Sequence, residues 1–179
     1  MYLETERLVL RDFTIDDIKD LYEILSDAEV MLNIEPVYDK RKTEEFLRTF
    51  CIERNPKGAF AAVQKSSGKV IGYVLFKPID KPEIYEIGWI FNKNYWRNGY
   101  AFEICAKLIC HGFENMGLHK VFAEAVDGFK SVSLMKKLGM IQENIKIKHS
   151  KSNDGQWRDL YRYVISAADY FHSNKEQLC

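Results

Sequence analysis

Arg97-Asn98-Gly99 separates a strand-like run ending at Phe91 from a long amphipathic segment that opens at Tyr100-Ala101. A helix that starts directly after such a loop has first backbone N–H groups with no internal partner, at the positive end of its dipole. A glycine in the loop lets those donors wrap around a phosphate, and Arg97 and Lys93 add charge to the same place. An isolated glycine can equally mark an ordinary tight turn. Other phosphate loops do not fit. No Gly-Lys-Ser/Thr follows and no magnesium ligands are apparent, which argues against a P-loop. A Rossmann loop needs more glycines after a first parallel strand, whereas this loop follows a meander. The pattern suits a pyrophosphate held without metal chemistry.

The elements around the loop set its position. Leu8-Val9-Leu10 between two arginines reads as a first strand. Thr14 then caps a helix with Asp16 and Asp17 in its first turn and Ile18, Leu21, Tyr22 and Leu25 at helical spacing. A second helix starts near Thr43, after an irregular stretch over residues 33–39. Residues 59–65 and 70–77 form a hairpin through Ser66-Ser67-Gly68; 78–82 turn again, and 85–91 complete an antiparallel meander. Ala101, Ile104, Cys105, Leu108, Ile109, Phe113 and Met116 then mark one face of a long helix. A strand over 120–126 and a helix over 130–138, capped by Gly139, follow. Strands over 140–148 and 157–165 close a hairpin around Asn153-Asp154-Gly155, and 167–171 start a terminal helix. The order predicts an α/β (α+β) layer fold.

At 179 residues, with 46% hydrophobic and 13% aromatic content, the chain predicts one domain over 1–179 with a sizeable core. A formal net charge of zero argues against a nucleic-acid binder that works by blanket charge attraction. No apolar run reaches the roughly 18 residues of a membrane span, and the charged opening is no signal peptide. Cys51, Cys105, Cys110 and Cys179 include no CxxC and no zinc-type spacing; Cys105 and Cys110, in an apolar helix, read as buried inert thiols. A cytoplasmic protein is expected.

The run Tyr95-Trp96-Arg97-Asn98-Gly99-Tyr100-Ala101-Phe102-Glu103 resembles the acetyl-CoA loop of the GNAT N-acetyltransferase superfamily. It is closest to the branch containing the ribosomal-protein-alanine N-acetyltransferases, whose loop usually reads Trp-Gly-Lys/Arg-Gly-Tyr-Ala-Thr-Glu. Leu3-Glu4-Thr5-Glu6-Arg7-Leu8-Val9-Leu10-Arg11 resembles that branch's opening strand, and Glu86-Ile87-Gly88-Trp89 its fourth. Ser131 with Met135-Lys136-Lys137-Leu138-Gly139-Met140 is similar to its "Ser … Lys-Leu-Gly-Phe" helix; Gly155 and Asp159 sit where its closing hairpin often has them. These matches span nearly the whole chain. Three positions depart: Arg97 replaces the loop's first glycine, Phe102 a small or hydroxyl residue, and Gly128 an asparagine that contacts the cofactor arm.

The resemblance implies a mainly antiparallel sheet flanked by helices, with strand 85–91 bulging and splaying from its neighbour. Backbone groups near Trp89, Ile90 and Phe91 would bind the pantetheine arm as an added strand. Trp96, Arg97, Asn98, Gly99, Tyr100, Ala101 and Phe102 would hold the pyrophosphate, with Gly128, Ser131 and Lys137 along the rest of the cofactor. The substrate cleft would lie between residues 33–39 and the closing hairpin. The implied reaction is acetyl transfer from acetyl-CoA to a primary amine, a peptide N-terminus or a small molecule; homodimers are implied by analogy.

Glu86 is the candidate base, acting through water, and its other reading is an ion pair with Lys77. Ser131 can hydrogen-bond the leaving thiolate or the cofactor, or simply start a helix. Tyr85, Tyr100 and Tyr163 are further possible donors or core residues. Lys146, Lys148, His149 and Lys151, opposite Arg158 and Arg162, read as a solvated face or as a surface attracting an acidic partner. Two rival functions are a non-catalytic acyl-CoA sensor of the same fold, for which Gly128 speaks, and an interaction module that binds no CoA.

Overall fold

The computed structural model describes residues 1–178, and Cys179 lies outside them. Its strands are β1 (Tyr2–Glu4), β2 (Leu8–Arg11), β3 (Ala59–Gln64), β4 (Val70–Ile79), β5 (Lys81–Phe91), β6 (Lys120–Ala125), β7 (Ile141–Lys151) and β8 (Trp157–Ser166). They form one sheet in the order β1-β2-β3-β4-β5-β6-β8-β7. Every neighbouring pair is antiparallel except β5 and β6. That parallel pair needs a crossover, which the helix α4 (Tyr100–Glu114) supplies.

Side-chain alternation gives the sheet two apolar faces. One carries Leu8, Leu10, Ile71, Val74, Ile87 and Val121, and α4 covers it with Ile104, Cys105, Leu108, Ile109 and Phe113. The helix α5 (Lys130–Lys137) adds Val132 and Met135 to this core. The other face carries Ala59, Ala61, Val63 and Tyr73, covered by α1 (Ile18–Leu25), α2 (Ala28–Met31) and α3 (Lys40–Phe46), the last continuing as a wider π-type turn over Leu47–Glu53. Each fully buried leucine or isoleucine contributes about 1.5–3 kcal/mol relative to exposure.

Local chemistry explains the helix starts. Asp27 accepts from the N–H groups of Glu29 and Val30 and so begins α2, a short helix ahead of the irregular stretch expected over 33–39. Asp39 accepts from the Lys42 N–H, so α3 opens ahead of Thr43. Asp17 accepts both from the Thr14 N–H and, twice at 2.7 Å, from the Arg11 guanidinium. Burial opposes its ionisation, but these donors outweigh it and hold the carboxyl below the usual carboxylate range.

Three expectations need correction. The turn expected over 78–82 is far tighter: β4 runs to Ile79 and β5 starts at Lys81, leaving only Asp80, at φ 57, between them. Strand 85–91 also carries no bulge, because its register with β4 is continuous from Pro78↔Tyr85 to Gly72↔Phe91; the irregularity lies at Pro78/Ile79 instead. Cys51 and Cys105 are the free cysteines among the described residues. Burial pushes the Cys51 thiol up to about 12 and the Cys105 thiol higher still, so both are inert. The third correction is Cys110, expected as an inert thiol: it is buried but is not a free thiol. Among the described residues no helix is long and apolar enough to cross a membrane.

Candidate active site

The sheet opens at its centre. β5 and β6 pair only over Ile84↔Lys120, Tyr85↔Val121 and Glu86↔Phe122. Beyond Glu86 the two strands separate while β5 stays paired to β4, which leaves a slot along one side of β5. Backbone groups alternate sides along a strand. Glu83 C=O accepts from His119 N–H on the β6 side, and Asn92 N–H donates to Ile71 C=O on the β4 side. Odd-numbered residues of β5 therefore turn their backbone groups to the slot. Trp89 and Phe91 do so; Ile90 does not, and its N–H and C=O face β4. The Trp96 indole closes the far end by donating to Phe91 C=O at 2.8 Å.

The loop after β5 builds the anion cradle. Arg97 and Gly99 both adopt left-handed backbone, at φ 61 and φ 80. Glycine adopts that conformation freely; an L-residue such as Arg97 does so at a cost of about 1 kcal/mol. No side chain caps α4, so the N–H groups of Tyr100, Ala101 and Phe102 point out of the helix start without a side-chain partner. Arg97 is exposed and makes no ion pair among the described residues, so its charge is available beside the cradle. Lys93 is committed elsewhere: it pairs with Asp27 at 2.7 Å, which raises the lysine's pKa. Asn98 turns its amide back onto the carbonyls of Tyr95 and Trp96, bracing the loop.

What holds this loop in place comes from far away in sequence. Glu103, in the first turn of α4, accepts from the Thr5 hydroxyl at 2.5 Å, from the Arg7 N–H at 2.8 Å and from Arg7 Nε at 2.6 Å. Arg7 also donates to Asn98 C=O at 2.9 Å and stacks on the Tyr100 ring. Burial disfavours the charged form of Glu103, but these donors prevail and lower its pKa from the usual 4.5. Its contribution to stability is thus complete above about pH 4.5 and fades as pH falls through the lowered value. Glu103→Ala is expected to cost about 1–3 kcal/mol and to erase this part of the acid sensitivity, as read by urea midpoints between pH 3 and pH 7. A midpoint that stays at the wild-type value would dismiss the clamp.

The facing wall is the start of α5. Asp127 accepts from the N–H groups of Phe129 and Lys130, both at 2.8 Å. Capping is therefore the work of Asp127, and Ser131 is left to line the cleft. Lys130 reaches across to lie 4.4 Å over the Trp96 ring, and Lys137 lies 4.3 Å over Phe102. A Cβ at Gly128 would come within 3.0 Å of the Tyr161 hydroxyl.

Glu86 lies where the slot begins, with its carboxylate 3.1 Å from Lys77 Nζ. The cleft is roofed at this end by the β7–β8 hairpin. Asn153 donates its side-chain amide to the carbonyls of Met31 and Glu35, and its N–H to Leu32 C=O, while Ser152 donates to Asn33 Oδ1 at 2.6 Å. Arg158 and Arg162 are spent on Asp154, Glu124 and Glu143, so that hairpin carries less free charge than its composition suggests.

One cleft of about 1500 Å³ joins these parts, and its walls include Glu86, Trp89, Ile90, Phe91, Trp96, Arg97, Gly99, Tyr100, Ala101, Phe102, Gly128, Ser131 and Lys137. Asn98 does not line it, and neither do Lys93, Tyr85 or Tyr163. Residues 7–141 match the family model described as the acetyltransferase (GNAT) domain. The chain belongs to that family. It is 34% identical over 169 residues to a protein of Bacillus subtilis (strain 168) named uncharacterized N-acetyltransferase YnaD, covering 92% of this chain and 96% of that one. The crystal structure of an acetyltransferase (GNAT family) from Bacillus anthracis superposes with a TM-score of 0.84 at 29% identity, covering 94% of this chain and 99% of the other. The Vibrio cholerae spermidine N-acetyltransferase solved with CoA and spermine shares the fold, with a TM-score of 0.80 at 22% identity over 93% and 99% of the two chains. This GNAT acetyltransferase carries its departures from the family pattern in the cradle and on the facing wall, at Arg97, Phe102 and Gly128, and keeps the slot between β5 and β6.

Proposed function

We propose that the chain acts as a single domain that moves an acetyl group from acetyl-CoA to a primary amine, by direct attack in a ternary complex. The continuous cleft carries this reading: uncapped amides at one end, an unpaired strand edge along the middle, a carboxylate and a roofed pocket at the other. Those features fit a pyrophosphate, an extended amide-bearing arm and an acceptor in that order. When bound, the cofactor supplies an acyl thioester. Trp89 N–H is the backbone donor best placed to polarise a carbonyl in the slot. Glu86 takes the proton from the amine through water. Ser131, free of capping duty, donates to the departing sulfur.

The acceptor is a protein N-terminal α-amine or a small-molecule amine. An α-amine, with a pKa of about 7.7–8.0, is neutral far more often than lysine at about 10.4, a difference of roughly 3.5 kcal/mol in deprotonation work. A candidate base that is already paired with Lys77, as Glu86 is, favours the easier proton. A cytoplasmic setting belongs to the same proposal.

The test is to incubate the protein with acetyl-CoA and a panel of amines, including Ala- and Ser-starting peptides, spermidine and aminoglycosides, and to follow thiol release. Release that depends on one amine class is the expected result and names the acceptor. Acetyl-CoA binding by calorimetry without any turnover would favour the sensor reading, and absence of binding would end the proposal.

A further inference from the structure

We propose that Tyr161 occupies the cofactor-arm position that Gly128 leaves empty, and that its phenol hydroxyl supplies the hydrogen bond an asparagine side chain would make there. The inference rests on the acetyl-CoA reading and adds a binding residue to it. An ideal Cβ on Gly128 would lie 3.0 Å from Tyr161 Oη and 3.1 Å from both Cε2 and Cζ. Ring and hydroxyl thus stand in the space into which a side chain at 128 would grow, and any larger residue there displaces them.

The ring is held from behind. Tyr161 sits on β8 between two paired strands, opposite Ala125 at the end of β6 and Ile145 on β7. It packs half-buried against the core under α4, while its face lines the cleft beside Gly128 and Ser131. Two other tyrosines, Tyr163 and Tyr100, already have hydrogen-bonded hydroxyls. Tyr163 donates to Gln142 Oε1 at 3.0 Å, and Tyr100 accepts from Gln64 Nε2 at 2.8 Å. Among the described residues the Tyr161 hydroxyl has no hydrogen-bond partner. A phenol both donates and accepts, so it can meet either end of an amide in the arm. Gly128 and Tyr161 are then one unit: the glycine is what lets the phenol reach the slot.

The test is calorimetric titration with coenzyme A itself, with melting curves as the check on folding. Tyr161→Phe keeps the ring and removes one oxygen, and is expected to weaken coenzyme A binding about three- to tenfold. In turnover the KM for acetyl-CoA should rise while that for the amine stays put. Gly128→Asn alone should also weaken binding, by displacing the ring. In Gly128→Asn/Tyr161→Ala the asparagine has room, and affinity should recover above that of Tyr161→Ala alone, a coupling the double-mutant cycle reads directly. Wild-type binding with an unchanged Tyr161→Phe, or additive losses in the double variant, would overturn the inference and leave acetyl transfer standing. Failure of the wild-type protein to bind coenzyme A would instead remove the acetyl-CoA reading on which it rests.

Discussion

Glu86→Gln is expected to lower kcat by about 10²- to 10⁴-fold near neutral pH while coenzyme A affinity changes little. Glutamine keeps the volume and can still accept from Lys77, which lies 3.1 Å away, but it cannot take a proton from an amine. The ion pair offers a competing account in which Glu86 only neutralises Lys77. Lys77→Met separates the two, since it removes the pair and leaves the carboxylate. If Glu86 serves only the pair, the two variants lose similar stability and neither loses turnover. If Glu86 is the base, kcat collapses in Glu86→Gln alone. Equal kcat values in all three proteins would take Glu86 out of the chemistry.

Gly72→Ala should have the largest effect on the fold. A Cβ there would lie 2.5 Å from Phe91 Cδ1 and 2.7 Å from the Ile90 carbonyl oxygen. The oxygen belongs to the backbone and cannot swing aside, so β4 and β5 must part where their register ends at Gly72↔Phe91. Overpacking of this kind costs about 1–3 kcal/mol, and more where backbone must move. The displaced segment is the part of β5 that borders the slot, so coenzyme A affinity should fall together with the urea midpoint. Gly68→Ala is a useful contrast: a Cβ there meets nothing within 4 Å, and its expected cost is that of left-handed backbone alone, about 1 kcal/mol. A Gly72→Ala protein as stable as the wild type would show that β4 and β5 yield more than this packing implies.

Most of the architecture is legible in the residues, because patterning and turn chemistry are local. The spacing of Ile104, Leu108 and Ile109 announces α4, and Ser66-Ser67-Gly68 announces its hairpin. Uncapped amides behind Gly99 follow from the same reading. What escapes it is pairing over distance. Glu103 looks like an ordinary first-turn acid until Thr5 and Arg7 are seen around it, nearly a hundred positions away. Lys93 seems poised for phosphate until Asp27, itself the cap of an unforeseen short helix, claims it. Ile90 and Trp89 are indistinguishable by type, and only strand parity tells which one faces the slot. Tyr161 carries no local signal at all; its interest lies in standing over a glycine on another element.

Three residue pairs are all that join β5 to β6 directly. A ligand arm lying along the open part of β5 would add the missing rungs and tie the two halves of the sheet together. Anything that binds only the folded chain raises its stability by RT ln(1 + [L]/Kd), about 2.7 kcal/mol at a hundred times Kd. The lifetime of the folded protein would then rise and fall with the supply of acyl donor around it. Without such a ligand, that gap would remain the most sparsely paired junction between neighbouring long strands of the sheet.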